Sequence, residues 1–360
     1  MSSKDKKMDD LTAGKTKIYI VVVLKYETVM RMKKYMRWAV PVVLGIVCPM
    51  FLLNTGSGGN TDKAPDYTDE TVLMQETNES IQPERKRLTI AVLLSDGSVS
   101  VQNLDDYLVS VILREMPSEF HEEALKAQAV VARTYALRRK ETGIKHPGAD
   151  ICTESNCCQG YWPADDYLRE GGDISAVEKI KGAVADTSNL VLTYDGKLIE
   201  ATYFSCSGGK TEDAVAVWGS DIPYLQSTNS PGEEHAAHFA DTVTISGEDF
   251  EARLGRDLPG APSQWLGSVS YTSGGGVDEM DISGMTYSGT TLRKLLGLRS
   301  TAFVMTAVGD HITITTKGFG HRVGMSQYGA DAMALQGHTF REILSHYYQD
   351  TELVLAENLR

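Results

Sequence analysis

The sequence lacks three features that mark common classes of protein: an excess of positive charge, an internal repeat and a phosphate-binding glycine loop. Its formal net charge is −13, and residues 54–360 alone carry −19, because residues 1–53 contain ten Lys or Arg against four Asp or Glu. This acidity argues against nucleic acid as a partner. The G-x-S-x-G elbow of serine hydrolases is also absent, since the nearest string, FSCSGG, has different spacing.

Long apolar runs are scarce, and one of them is a candidate membrane segment. Residues 38–53 form a run of 16 residues without a charge, with basic residues before it and no clear cleavage site after it. We therefore predict an uncleaved membrane anchor rather than a signal peptide. The basic residues predict that residues 1–37 are a cytoplasmic tail and that the chain after the anchor lies outside. Three methionines are alternative starts of the chain: Met30, Met32 and Met36.

The rest of the chain divides into a linker and one folded domain. Residues 54–85 are rich in Gly, Thr, Asn and acidic residues without an apolar period, which predicts a flexible linker. Residues 86–353 alternate strand-type and helix-type patterns, so we predict an α+β domain with a long helix packed beside antiparallel sheet and a groove for substrate. Within it, residues 240–315 predict either a second lobe or a long excursion.

Three local patterns predict the start or the turn of particular elements. Helix-favouring residues follow Ser118 as far as about residue 140, which predicts a helix with Ser118 as N-cap. The Asp-Gly pair at 195–196 separates two strand-type runs and predicts a hairpin turn. Thr339 and Glu342 form a capping box, which predicts the start of the last helix.

One acidic residue, Glu115 in the string LREMPSEF, is a candidate for chemistry. It lies at the end of a predicted helix and follows Leu108 and Ile112 at i, i+4 and i+7, so it lies on the apolar face. Apolar neighbours and the negative end of the helix dipole both favour a protonated carboxyl group. Glu115 is therefore a candidate general acid. The alternative is a structural ion pair with Arg133 or Lys126.

Four longer strings carry a resemblance to a known family. In chain order they are EMPSEFHEEALKAQAVVARTYAL, HPGADICTESNCCQGY, ATYFSCSGGKTEDAVAVWGSDIPYLQS and GFGHRVGMSQYGADAMALQGHTFREILSHYY. They resemble, in the same order, the stage II sporulation protein D family, cell-wall enzymes of endospore-forming bacteria that are related to the amidase enhancers. The resemblance covers most of residues 88–352.

This resemblance implies a lytic transglycosylase that cleaves peptidoglycan between N-acetylmuramic acid and N-acetylglucosamine and leaves a 1,6-anhydro end. The motif glutamate is Glu115 here, which would protonate the bridging oxygen and then accept the proton of the attacking C6 hydroxyl. The resemblance also implies glycan stripped of its stem peptides as substrate and a role in engulfment, between the mother-cell and forespore membranes. Stage II sporulation protein P, an amidase, and stage II sporulation protein M are the implied partners.

The string HPGADICTESNCC predicts a metal site. It spaces His146, Cys152 and Cys158 six residues apart, and these residue types suit tetrahedral zinc. Some members of the family bind zinc at a similar string, so we predict a structural zinc ion, with water or Cys206 as candidates for the fourth ligand. The alternative is a disulfide from Cys152 to Cys157 or Cys158 in an oxidising exterior.

Nine polar residues are candidates for contact with the glycan. They lie on the long helix, in the string YFSCS and in the glycine-rich string GFGHRVGMSQYGA, and they are Lys126, Gln128, Arg133, Tyr203, Ser205, Ser207, His321, Gln327 and Tyr328. Their polar groups can hydrogen-bond sugar hydroxyl and acetamide groups. The alternatives are surface positions for Lys126 and Arg133, an ordinary strand end for YFSCS and a core histidine for His321.

Two further functions are consistent with these residues. The first is a noncatalytic amidase enhancer that binds wall glycan, which would still enhance its partner after the loss of Glu115. The second is a metal-dependent amidase or peptidase built on His146, Cys152 and Cys158. In that case chelation would abolish turnover without first lowering the melting temperature.

Overall fold

The structure is a computed structural model that describes residues 88–143 and 145–359. The predicted tail (1–37), anchor (38–53) and linker (54–85) lie outside these residues. Within the described ranges, no helix is both long enough and apolar enough to cross a membrane. The fold below is therefore that of the predicted folded domain.

The described chain is mixed α+β, which confirms the predicted class. The helices are α1 (Leu104–Glu115), α2 (Glu122–Thr142), α3 (Ala164–Arg169), α4 (Ile174–Asp186), α5 (Ala214–Trp218), α6 (Gly247–Leu254), α7 (Gly289–Leu296), α8 (Gln327–Leu335) and α9 (Phe340–Tyr347). The strands are β1 (Thr89–Leu93), β2 (Val99–Asn103), β3 (Ile151–Cys152), β4 (Leu190–Tyr194), β5 (Lys197–Leu198), β6 (Tyr203–Phe204), β7 (Ala240–Ser246), β8 (Leu266–Tyr271), β9 (Val277–Ile282), β10 (Met285–Ser288), β11 (Phe303–Val308), β12 (His311–Lys317), β13 (Met325–Ser326) and β14 (Glu352–Leu355).

These strands form several small sheets instead of one. Their orders are β2-β1-β3, β10-β9-β8, β11-β12-β7, β13-β6 and β14-β4-β5. Neighbouring strands are antiparallel except for the pairs β1–β3 and β6–β13. The long helix α2 lies beside one of these sheets, where the Thr134 hydroxyl accepts a hydrogen bond from the Leu192 N–H at 3.0 Å. Its other sides contact α1, α4, α8 and α9, so α2 is the central helix of the main core.

The end of α1 fixes the position of Glu115. The Asn103 side chain accepts hydrogen bonds from backbone N–H groups of the first turn and begins the helix. Met116 takes up extended backbone, so the helix ends at Glu115. The Met116 N–H still donates to the Ile112 carbonyl at 3.0 Å, which holds the helix end in place.

Of the three local predictions from sequence, one is wrong and two are confirmed. The predicted N-cap Ser118 is wrong: Pro117 to Phe120 form a turn closed by the Phe120 N–H, and His121 caps α2 instead. The hairpin is confirmed, since β4 pairs with β5 and both residues of the Asp-Gly pair at 195–196 have positive φ. The capping box at the start of α9 is also confirmed.

A second, smaller hydrophobic core forms within residues 240–317. It is enclosed by β7 to β12 with α6 and α7, and its buried side chains include Phe250, Trp265, Leu292 and Ile312. The main core is built around α1 and α2 and shares no buried residue with it. A separate core favours the second lobe over the long excursion.

A buried ion pair attaches this second lobe to the rest of the domain. Arg322 Nη1 lies 3.1 Å from Glu212 Oε1, and both side chains are almost fully buried. Arg322 also donates to the Gly274 carbonyl at 2.7 Å. The Glu212 carboxylate accepts from the Thr272 hydroxyl at 2.8 Å and from the Gly276 N–H at 2.9 Å. The turn between β8 and β9 is thus held by one carboxylate and one guanidinium.

Candidate active site

Glu115 lies at the edge of an open cleft of about 670 Å³. Leu108 and Ile112, which precede it on the same helix face, are fully buried, so the apolar face was predicted correctly. The cleft is lined by Glu115, Tyr135, Ser155, Asn156, Cys157, Cys158, Thr202, Tyr203, Phe204, Ser205, Trp218, Phe319, Gly320, His321 and Gln327. The helix end and the later loops thus meet around the acid.

Burial raises the pKa of Glu115 above its ordinary value. Two neighbours oppose this effect in part: the Gly160 N–H donates a hydrogen bond to Oε1, and the positive charge of Arg114 is close. Gly160 is itself buried, so this hydrogen bond fixes the orientation of the carboxyl group. A carboxyl group with a raised pKa and a fixed position suits general acid catalysis.

The alternative of a structural ion pair under the long helix is wrong. Lys126 pairs with Glu122 at 2.8 Å and with Asp186 at 3.0 Å. Arg133 has no exposed side-chain surface and donates to the Thr187 carbonyl at 2.8 Å and the Val184 carbonyl at 3.2 Å. Neither cation is available to Glu115.

Glu115 is the one carboxylate among the residues of the described chain that line this cleft. Enzymes that hydrolyse a glycosidic bond with water typically use two carboxyl groups that flank it. A cleft with one carboxyl group instead suits a reaction in which the nucleophile belongs to the substrate.

A chain of hydrogen bonds positions a second polar group in the cleft. The Tyr107 hydroxyl donates to Gln159 Oε1 at 3.2 Å, and Gln159 Nε2 donates to the Tyr203 hydroxyl at 3.1 Å. Burial raises the pKa of Tyr203 well above its ordinary value, and the negative charge of Glu115 adds to this. The Tyr203 hydroxyl is therefore protonated at neutral pH. Because it accepts a hydrogen bond from Gln159, its own proton remains available for another acceptor.

His321 lines the cleft as a neutral imidazole. Burial lowers its pKa to about 4, and the positive charge of Arg293 adds to the effect. Its Nδ1 accepts a hydrogen bond from the Val323 N–H at 3.1 Å, and its ring packs against Phe204 and Trp218. The ring also hydrogen-bonds the Tyr203 backbone, which opposes the fall in its pKa, so the neutral imidazole has a fixed orientation in the cleft wall.

Gln327 and Ser205 are the other predicted glycan contacts that line the cleft. The Gln327 side chain is 5% exposed, and within the described residues its Nε2 has no hydrogen-bond partner. A buried amide without a partner is costly unless a ligand or water satisfies it. Gln327 therefore brings to the wall of the cleft a buried amide that no protein group of the described chain satisfies.

Five of the nine predicted glycan contacts do not line this cleft: Lys126, Gln128, Arg133, Ser207 and Tyr328. Gln128 is fully buried on α2. Ser207 donates its hydroxyl to the buried Glu233 carboxylate at 2.9 Å. Tyr328 packs edge-on against Phe120 at 4.9 Å between ring centroids. Their polar groups are directed to the protein interior or to neighbouring side chains.

Several cleft residues were missed from sequence. Tyr135 lies seven residues after Gln128, on the same face of α2, and this helical spacing was the available signal. Trp218 belongs to the string VWGS, whose aromatic ring could have been weighed for sugar stacking. Nothing in the sequence marked Gln159 or Gly160 as functional. Gln159 acts through a buried side-chain amide, and Gly160 acts through its backbone N–H.

The predicted metal ligands do come together. His146, Cys152 and Cys158 are joined by Cys157, and their ligand atoms all lie within 4.8 Å of one another. His146 Nε2 is 3.3 Å from the Cys158 sulfur and 3.7 Å from the Cys157 sulfur. Ligand atoms about 2.0 Å (N) and about 2.3 Å (S) from a tetrahedral zinc ion lie at similar separations. The residues therefore fit a metal ion with four protein ligands.

Cys206 is not the missing ligand. Its thiol is fully buried and donates to Glu233 Oε2 at 3.2 Å. Cys157, which was predicted only as a possible disulfide partner of Cys152, lies where a fourth ligand is needed. The cysteines of the described residues are all free thiols.

Comparison with known proteins agrees with the resemblance noted in the sequence. The family described as "Stage II sporulation protein" matches residues 96–194. "Stage II sporulation protein D" of Bacillus subtilis (strain 168) is 39% identical over 265 residues, which cover 72% of this chain and 77% of that protein. The protein of the same name from Bacillus amyloliquefaciens is 41% identical over 285 residues, covering 77% and 82%. The "Amidase enhancer" of Bacillus subtilis (strain 168) is 30% identical over 304 residues, covering 68% and 40%.

Proposed function

Because the chain belongs to the stage II sporulation protein D family, we propose that it is a lytic transglycosylase of peptidoglycan. Its substrate would be the bond between N-acetylmuramic acid and N-acetylglucosamine, and its product a 1,6-anhydro end. The observation that carries the proposal is the lone carboxylate of the cleft, Glu115, whose pKa is raised by burial. An acid of this kind can protonate a leaving oxygen near neutral pH.

In the first step Glu115 donates its proton to the bridging oxygen as the bond to the anomeric carbon breaks. The positive charge that develops on the sugar is stabilised by the new carboxylate. The C6 hydroxyl of the same sugar then attacks the anomeric carbon, and Glu115 takes up the hydroxyl proton. The enzyme returns to its starting state without water as a reactant, so one carboxyl group suffices.

Three further side chains would bind and orient the sugar. Tyr203 and Gln327 both line the cleft, and each has a donor that no protein group of the described chain uses. His321 is neutral at the pH of reaction because its pKa is about 4. Uncharged donors and acceptors suit a substrate whose hydroxyl and acetamide groups are also uncharged.

His146, Cys152, Cys157 and Cys158 would hold a zinc ion with a structural role. When bound, the ion would cross-link the segment that precedes Gly160. Four protein ligands leave no open position for a water molecule, so the reading as a zinc hydrolase is not favoured. Cys157 and Cys158 also line the cleft, so this cross-link borders the proposed active site.

The setting of the reaction follows from family membership and is part of the proposal. The chain would act outside the cell membrane, held by the anchor at residues 38–53, on glycan strands already stripped of stem peptides. Stage II sporulation proteins P and M would be its partners in engulfment. The relative named amidase enhancer gives the second candidate function, a glycan-binding enhancer without catalysis.

The test is to incubate the purified protein with peptide-free glycan strands and to analyse the products by mass spectrometry. We expect 1,6-anhydro ends from the unchanged protein and none from Glu115→Gln. Glu119→Gln is the matched control, because Glu119 is an exposed acid in the turn after the same helix. It should retain full activity.

Other results of these experiments would support a different function. Reducing ends would mean that water is the nucleophile, which contradicts the proposed mechanism. Binding of glycan without cleavage by the unchanged protein would support the enhancer. Loss of activity on chelation at an unchanged melting temperature would support a catalytic metal.

A further inference from the structure

A second groove adjoins the cleft at Ser155, which lines both. It has a volume of about 630 Å³, and we call it the Trp162 groove; its lining includes Arg114, Thr153, Glu154, Gly160, Tyr161 and Trp162. We propose that it binds sugar units of the same glycan strand, on the other side of the cleaved bond from those in the cleft. This inference rests on the proposed function and adds a binding site to it.

The end of α1 contributes one lining residue to each groove. Consecutive residues of a helix point about 100° apart, and at the end of α1 Glu115 lines the cleft while Arg114 lines the Trp162 groove. Ser155 lines both. Gly160 lines the groove, and its N–H binds the Glu115 carboxyl group. A strand that passes from one groove to the other would therefore cross the acid.

The size of the cleft requires such a continuation. Its volume of about 670 Å³ is that of a pocket for a small molecule, whereas the proposed substrate is a polymer. Cleavage within a strand leaves two products, and both must be held while the bond breaks. The Trp162 groove is of similar volume and shares Ser155 with the cleft.

Trp162 provides a rigid aromatic surface in this groove. Its backbone N–H donates to the Ser110 carbonyl at 2.9 Å, which ties it to α1. Its ring contacts the Tyr167 ring edge-on at 5.0 Å between centroids and is half-buried. The apolar face of a pyranose ring packs well on an indole that is already held in place, because little side-chain entropy remains to be lost.

The polar side chains of the groove favour a ligand rich in hydroxyl groups. The carboxylates that line it are Asp96, Glu154, Asp166 and Glu170, and Arg114 is the one cation among its lining residues. Carboxylates accept hydrogen bonds from sugar hydroxyls. The chemistry therefore points to N-acetylhexosamine units.

The test measures binding in the Glu115→Gln protein, which holds the strand without cutting it. Its affinity is measured for a disaccharide of the glycan and for long peptide-free strands, with and without Trp162→Ala. We expect Trp162→Ala to weaken binding of long strands about tenfold, as for a tryptophan at the centre of an interface, and to leave the disaccharide unaffected. Trp162→Phe should restore most of the affinity.

Tyr271→Ala is the matched control, because Tyr271 is 52% exposed on the second lobe and lines neither groove. It should bind long strands as tightly as its parent. Equal weakening for both ligands would overturn the inference, since Trp162 would then only support the cleft. Unchanged binding of long strands by Trp162→Ala, or no binding by its parent, would also overturn it. A protein that binds strands but never cleaves them would contradict the proposed function alone.

Discussion

Gly160→Ala should displace the proposed catalytic acid, Glu115, without replacing it by another residue. The added Cβ would lie 2.7 Å from Glu115 Oε1 and 2.7 Å from Arg114 Cγ, closer than such atoms approach in real structures. Gly160 has a negative φ, so alanine is not strained by the backbone. The whole effect must therefore come from these two contacts, and the Glu115 carboxyl group has to move.

The size of the effect follows from this geometry. Overpacking of a buried site costs about 1–3 kcal/mol of folding free energy, which urea denaturation would measure. A catalytic group misplaced by about 1 Å lowers the rate about 100-fold. The hydrogen bond from Gly160 lowers the pKa of Glu115, so weakening it raises that pKa further. We therefore expect kcat to be lower than in the unchanged protein. We also expect the loss of activity on ionisation of Glu115 to occur at a higher pH.

Gly182→Ala provides the matched control. Gly182 lies in α4, and a Cβ there would meet nothing within 4 Å. Alanine at this position should keep full activity and stabilise the helix by roughly 1 kcal/mol. If Gly160→Ala kept wild-type activity with an unchanged pH profile, the Gly160 hydrogen bond would have no part in catalysis and the assignment of the acid would lose its main structural support.

Three other perturbations test separate parts of the structure. Glu115→Gln should raise the melting temperature at neutral pH, because burial raises the pKa of Glu115 and its ionisation on raising the pH destabilises the fold. Thermal scans should show the gain vanish near about pH 4, below the ordinary glutamate pKa; a constant gain would refute the burial effect. Cys157→Ser should lose bound zinc in metal analysis, whereas Cys206→Ser keeps it; equal retention would exclude Cys157 as a ligand. Glu212→Gln should destabilise the domain by about 3–5 kcal/mol in urea, because it leaves the buried Arg322 without its counter-charge; a loss below about 1 kcal/mol would mean that the carbonyl contacts of Arg322 suffice.

The features that were predicted correctly depend on contacts between residues that are close in the sequence. Helical spacing placed Glu115 on the face of Leu108 and Ile112, and that face is buried. The Asp-Gly turn at 195–196 and the capping box of α9 are each decided by a few consecutive residues. In the last two cases the residues that fix the structure lie within four consecutive positions of the chain.

The features that were not predicted depend mostly on contacts between residues that are far apart in the sequence. Arg133 was a candidate for sugar binding because a charged residue is normally exposed, yet carbonyls more than 50 positions away bury it completely. Gly160 holds Glu115 through a backbone N–H across 45 positions, and no side chain marks such a role. Ser118 failed as an N-cap because the turn after Pro117 continues past it.

The segment from Cys157 to Gly160 connects the metal cluster to the acid within four residues. Its two cysteines belong to the cluster, Gln159 orients Tyr203, and Gly160 holds Glu115. Removal of the proposed zinc ion should therefore lower activity by displacing Glu115, as we also expect of Gly160→Ala. We expect chelation to lower the melting temperature and to shift the high-pH fall of kcat upward in the same treatment. If chelation lowered the melting temperature but left the pH profile unchanged, the cluster would stabilise the fold without positioning the acid.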